Sequence, residues 1–199
     1  MEQIISKEEL EELKKIEGEL RGVSLKGDAE FVVKEKGEEG LKRLEDAMAQ
    51  LGYHIKYKDV VMMNFYPLSL DAVNLLAIKR LFDFDDKKIQ ELGGFLSKVS
   101  LILKMFMRYF VSIGRVAKEA PAIWKKNYTV GDLKLIELNQ EKKYLVLRLD
   151  DFNIHPLYCQ VLMGYFSSVV QMVVKEKPVC EETKCQFKGD KFHEFVIKW

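Results

Sequence analysis

Leu10, Leu13, Ile16 and Leu20 recur at three- and four-residue intervals behind a Ser6/Glu9 pair. That is one helical face behind a capping box, and it predicts a first helix over residues 7–21. The polar run Lys26-Gly27-Asp28 reads as its end. Helical spacing returns in Leu41, Leu44, Ala47, Met48 and Leu51 and closes at Gly52, after which residues 53–63 read as extended. Residues 71–82 and 86–113 are helical by length and spacing, each opening on an acidic residue that suits the positive end of the helix dipole. The second is apolar around much of its circumference, which makes Leu103, Phe106 and Phe110 core candidates; a shorter helix follows over residues 116–126.

Beyond Asn127 the period changes. Leu133, Leu135 and Glu137 alternate with Lys134 and Ile136, and Tyr144, Val146, Arg148 and Asp150 alternate with Leu145, Leu147 and Leu149. The turn-prone Asn139-Gln140-Glu141 lies between the two runs, which makes a β-hairpin. Pro156 suits the first turn of a further helix reaching Lys175, with Cys159, Met163, Phe166 and Val170 on its apolar face. Residues 178–187 and 192–199 flank Lys188-Gly189-Asp190-Lys191 as a second hairpin. The fold class expected is therefore α+β: a helix-rich part, residues 1–127, packed on a small antiparallel sheet in a β-β-α-β-β part, residues 128–199. With 4 Pro and no Ser/Gly-rich tract to act as a linker, the two parts read as one compact unit.

Composition then acts by exclusion. A chain that is 48% hydrophobic, with 12 Phe, 8 Tyr and 2 Trp, can build a core and is no disordered polymer. With 32 basic against 31 acidic side chains there is no surplus to neutralise phosphates, so nucleic acid is not an expected partner. The first ten residues are acidic and amphipathic, unlike a secretory signal, and the apolar stretch from Leu92 to Ile113 is interrupted by Lys98, Lys104 and Arg108. Neither export nor a membrane partner is expected, and the chain reads as cytoplasmic. No Gly-x-Gly-x-x-Gly, phosphate loop or Gly-x-Ser-x-Gly elbow occurs, so an enzyme is not the favoured reading.

The 3 cysteines are too few and too odd in number for a disulfide framework in a reducing compartment. Two of them stand in a different grouping: Cys159, Glu182, Cys185 and His193 are four metal-ligating types in the last quarter of the chain, three of them within one hairpin. With a three-residue loop at 188–190, Cys185 stands opposite His193 on one face of the sheet, where Cys159 on the inward stripe of the preceding helix can meet them. With a two-residue turn the pair falls on opposite faces. The plainer alternative is that the cysteines are small buried hydrophobes beside a hydrogen-bonded histidine.

From Cys159 the run Cys-Gln-Val-Leu-Met-Gly-Tyr-Phe, and from Val179 the run Val-Cys-Glu-Glu-Thr-Lys-Cys-Gln-Phe-Lys-Gly-Asp-Lys-Phe-His-Glu-Phe, together resemble the 4-vinyl reductase domain family. That family includes predicted hydrocarbon-binding proteins and sensor domains responding to aromatics. The resemblance implies a structural zinc held by Cys159, Glu182, Cys185 and His193, with histidine where the family usually carries cysteine. Four protein donors leave no open position for an activated water. It also implies a fold shared with haem nitric-oxide sensors and TRAPP trafficking subunits, and a small apolar molecule held between helices and sheet. The response would pass through a homodimer or a separate signalling partner. Phe106, Phe110, Met163 and Phe166 are the pocket candidates, being the flexible and aromatic surface such sites use, with a core role as the alternative. The haem sensors' Tyr-x-Ser-x-Arg signature is absent, since Tyr109-Phe110-Val111-Ser112 has the wrong spacing, so haem is not expected. The family's name suggests a second function, a reductase acting on a tetrapyrrole vinyl group, and the TRAPP relatives a third, a non-catalytic scaffold.

Overall fold

The computed structural model describes residues 4–99 and 112–199. The order is α1 (Lys7–Lys14), β1 (Glu19–Arg21), α2 (Val23–Gln50), β2 (Phe65–Pro67), α3 (Leu68–Leu81), α4 (Asp86–Val99), α5 (Ile113–Asn127), β3 (Asp132–Asn139), β4 (Tyr144–Asp150), α6 (Leu157–Gln171), β5 (Val179–Lys184) and β6 (His193–Lys198). The fold is α+β, with the helices packed on a four-stranded antiparallel sheet of order β3-β4-β6-β5. No helix among the described residues is long and apolar enough to cross a membrane.

The alternation in β4 is the cleanest link from sequence to sheet. Leu145, Leu147 and Leu149 are buried while the residues between them are half-exposed. In β3 the register shifts between Leu135 and Glu137, leaving Ile136 exposed and passing the inward position on to Leu138. Phe195 and Ile197 of β6 complete the inner face, on which α6 lays Leu162, Phe166 and Val170.

On its other side α6 crosses α4 at very short range. A Cβ on Gly93 would lie 2.0 Å from the Val161 carbonyl oxygen, and one on Gly164 would lie 1.8 Å from that of Gln90. Only glycines allow the two backbones to touch there. α6 is thereby held between α4 and the sheet, and every side chain it sends toward the sheet is fixed in height.

Three expectations need correction. Residues 7–21 do not form one helix: α1 stops at Lys14, and residues 19–21 pair as β1 with β2, which buries Leu20 opposite Tyr66. The run Lys26-Gly27-Asp28 is no break but the opening of α2, because Asp28 is buried with a hydrogen-bond partner and not exposed in a turn. The extended stretch expected over 53–63 is a loop with a single 3-10 turn at Tyr57–Asp59. Leu103 lies outside the described residues.

Alanine for glycine inside a helix ordinarily stabilises by about 1 kcal/mol, but at the α4–α6 contact it must push two backbones apart. Gly164→Ala is expected to lower the unfolding free energy by about 1–3 kcal/mol in urea titrations. A gain in stability would show that the helices do not meet as described.

Candidate functional site

Cys159 lies in the first turn of α6, its amide bonded to the Pro156 carbonyl, and it points at the sheet because Leu162 and Phe166 share its stripe. In the hairpin, Glu182 is opposite Phe195, and directly paired residues share a face, so Glu182 turns inward. The register then shifts between Glu182 and Lys184, and Cys185 leaves the strand into a 3-10 turn over Gln186–Lys188. The Asp190 carboxylate accepts from the Cys185 amide at 2.8 Å, and the Cys185 carbonyl accepts from the amides of Lys188 and Asp190. Neither simple turn register holds. The strand shift followed by the 3-10 turn is what returns the Cys185 side chain to the inner face beside His193.

The result is a buried cluster. Ligating atoms of Cys159, Glu182, Cys185 and His193 all lie within 4.8 Å of one another. Cys159 Sγ is 3.8 Å from Cys185 Sγ and 3.9 Å from His193 Nδ1, and Nδ1 is 2.8 Å from Glu182 Oε1. A tetrahedron's edge is about 1.63 times its centre-to-corner distance, so two thiolates at about 2.3 Å from an ion stand about 3.8 Å apart. The two sulfurs already have that separation. The side chains of His193 and Glu182 are 2% and 6% exposed, so water does not compete freely for these donors. Burial opposes ionisation of Glu182, yet hydrogen bonds from His193 and the two thiols outweigh it and hold the carboxyl below its usual range. Burial pushes the Cys159 thiol up, and the Glu182 carboxylate beside it adds to the rise. An ion that took this thiol as thiolate would therefore have to displace its proton. Cys180 sits outside the cluster, its thiol also pushed up by burial.

A second feature lies farther along α6. Between α5, α6 and the inner face of β3 and β4 is a cavity with about 90 Å³ of space that the centre of a water molecule could occupy. Its wall is aliphatic and aromatic, with Ala117, Ile123, Leu147, Val161 and Phe166 among the residues that line it. The polar groups on the wall are few: Ser24, Asn127, Tyr128 and Tyr165, with Trp124 donating its indole N–H to the Val130 carbonyl. Of the pocket candidates, Phe166 lines the cavity, Met163 does not, and Phe106 and Phe110 lie outside the described residues. Trp124 and Tyr128, stacked at 4.3 Å between ring centroids, were not foreseen. Their positions at the end of α5 carry no period that separates a cavity wall from a core.

No family model and no curated protein matches the chain. Solved structures do. An H-NOX (haem nitric oxide/oxygen binding) protein from S. oneidensis in the Fe(II)NO ligation state superposes with a TM-score of 0.69 at 14% identity, covering 90% of this chain and 98% of that one. An Fe(II) unliganded H-NOX mutant from K. algicida gives 0.63 at 12% identity, with 90% and 96% covered. Trafficking protein particle complex subunit 3 from Naegleria fowleri, covalently bound to palmitic acid, gives 0.50 at 15% identity, with 65% and 92% covered. The likeness is one of fold.

Two expectations fall with these findings. Membership of the 4-vinyl reductase family is not supported, since no family model matches and the likeness over nine-tenths of the chain is to H-NOX domains. A motif of a few residues in the last quarter was too short to carry a family. Zinc as the cofactor is likewise not supported, because the similar structures are described with iron. The donor set by itself does not fix which borderline divalent ion it would take.

Among the described residues, the cavity wall offers haem no imidazole and no thiolate. Haem iron takes an axial imidazole, thiolate, thioether or phenolate. None of His54, His155, His193, the three cysteines and the described methionines lines the cavity, and residues 100–111 contain no His or Cys, though they include Met105, Met107 and Tyr109. Burial holds the Tyr128 phenol well above its usual range and so keeps it protonated. No Lys or Arg is among the described lining residues to meet propionates. The cavity is also below the roughly 300 Å³ at which ordinary ligand pockets begin.

His193 Nδ1 has Glu182 as its close partner. Glu182→Ala should therefore lower stability by about 1–3 kcal/mol in urea unfolding, with Glu182→Gln recovering part of the loss. Equal stability of all three proteins would mean that the contact holds nothing.

Proposed function

We propose that this chain is a small-ligand-binding domain of the sensor type, whose cavity takes a compact apolar molecule. The apolar cavity between α5, α6 and the sheet carries this reading. The fold likeness supports it, since similar structures are described with a gas-liganded iron group or with palmitic acid. The lining favours the apolar side of that range. It offers dispersion contacts and very few hydrogen bonds. At about 90 Å³ it suits a molecule of a few carbon atoms more than a full acyl chain, because dry apolar cavities of about 150 Å³ hold a benzene.

We further propose that Cys159, Glu182, Cys185 and His193 hold a divalent d-block ion that ties the C-terminal hairpin to α6. The 3.8 Å sulfur separation, the burial and the two-sulfur, one-nitrogen, one-oxygen donor set support it. All four positions are then protein donors, so the ion's work is structural and not catalytic.

Xenon, small enough for this space and without polar groups, serves as the probe of the cavity. It should raise the melting temperature of the intact protein in a dose-dependent way, approaching about 2.7 kcal/mol of added stability at a hundredfold excess over Kd. Ala117→Phe, which fills the space, should abolish the response while the protein remains folded. An identical response in that variant, or none in the wild type, would leave a scaffold with a filled core as the better account.

Elemental analysis addresses the ion. About one divalent metal per chain is expected, falling at least tenfold in Cys185→Ala, and chelation should lower the melting temperature of the wild type alone. Undiminished metal in Cys185→Ala would remove the proposed ligand set.

A further inference from the structure

Asp28 of α2 and Asp71 of α3 lie in the core with 0% and 2% of their surface exposed. Tyr158 of α6 donates its hydroxyl to Asp71 Oδ2 at 2.5 Å. Asn74 Nδ2 donates to Asp28 Oδ2 at 2.8 Å, and Asn74 Oδ1 accepts from the Tyr57 hydroxyl. Each carboxyl therefore has one satisfied oxygen. The other, Oδ1 in both residues, is buried without a partner.

What surrounds them offers no counter-charge. The facing groups are Ser24 on α2, Asn74 on α3, Tyr57 from the loop, Tyr128 at the end of α5 and Tyr158 on α6, with Glu45 beyond Tyr57 and Tyr165 beyond Tyr128. All are neutral or acidic, and no cationic side chain among the described residues acts on either carboxyl. Two bare carboxylates here would each lose their hydration with nothing to offset it, and two acceptors would stay unmet. Protonation eases both faults: it cancels a charge, and it turns an orphaned acceptor into a hydroxyl that can donate.

We propose that Asp28 and Asp71 together hold at least one proton, a buried acid pair between α2, α3 and α6 whose stabilising effect is lost when the proton leaves. The pair does not depend on what fills the cavity or on the metal cluster. Burial raises the affinity of both groups for a proton, with the Asp71 charge adding to the rise at Asp28, and Asp71 is brought to about 7. Because the folded chain binds the proton more tightly than the unfolded one, the stabilisation is full below the ordinary carboxylate range near 4 and is lost as the pH rises through about 7.

The test compares urea unfolding of the whole chain from pH 4.5 to 8.5 for the wild type and Asp71→Asn, alongside carbon NMR of the wild type labelled at aspartate Cγ. The wild-type unfolding constant should grow with pH by up to about tenfold per unit for each proton held. Asp71→Asn, whose amide is a permanent donor, should flatten that slope. The difference between the two proteins removes other titrating groups, His155 among them. One aspartate Cγ should titrate near 7 or above while exposed aspartates titrate near 4. If Asp71→Asn does not fold, the NMR titration decides alone. Every Cγ titrating near 4, or an unchanged slope in a folded Asp71→Asn, overturns the proposal. So does stability that follows potassium or sodium concentration at fixed pH, which would put a metal cation between the carboxyls.

Discussion

The first turn of α6 and the mouth of the β5–β6 hairpin meet at four buried donors, and the rest of the C-terminal half depends on how that meeting is satisfied. Two thiols, an imidazole and a carboxylate cannot sit in a dry interior without partners. With an ion they become a four-armed cross-link between a helix and a hairpin. Without one they are a loose set of hydrogen bonds, of which His193–Glu182 is the close member. Either way the cluster is where the first turn of α6 meets the hairpin, and α6 carries one wall of the cavity.

The other end of that constraint is steric. Gly93 and Gly164 let α4 and α6 approach backbone to backbone, so α6 is gripped between α4 and the sheet. The cavity lies between α6, α5 and the sheet, and α5 is tied down separately. Arg21 donates to the Lys126 carbonyl, and the Thr129 amide donates to the Glu19 carbonyl, which fastens the end of α5 to the β1 edge. The likeness to H-NOX domains is one of fold, and the cavity between helices and sheet is seen in this chain itself. Among the described residues lining that space there is no His, Cys, Lys or Arg.

Much of the fold was readable from periodicity. The helix at 71–82, the Leu145-Leu147-Leu149 alternation and the two hairpins come from apolar spacing alone, because burial on one face leaves that mark directly. What escaped was set by partners distant in the chain. Asp28 looked like a turn residue and is a core one because Asn74 reaches it, and residues 19–21 looked helical and are a strand because residues 65–67 lie beside them. For the site, the residue types and their order could be read, and so could the inward stripe of Cys159. The shift at residues 182–184 that brings Cys185 round could not, since a bulge has no compositional signature. The cofactor assignment overreached for a related reason: donor types constrain an ion's softness and geometry, not its identity.

X-ray absorption at the metal edge of the protein as purified bears most directly on the claim that these four side chains converge on one ion. The account predicts a four-coordinate first shell of two sulfurs and two lighter atoms, one of them showing the outer-shell pattern of an imidazole. A shell of oxygens alone, the four equal nitrogens of a porphyrin, or no bound metal would contradict it.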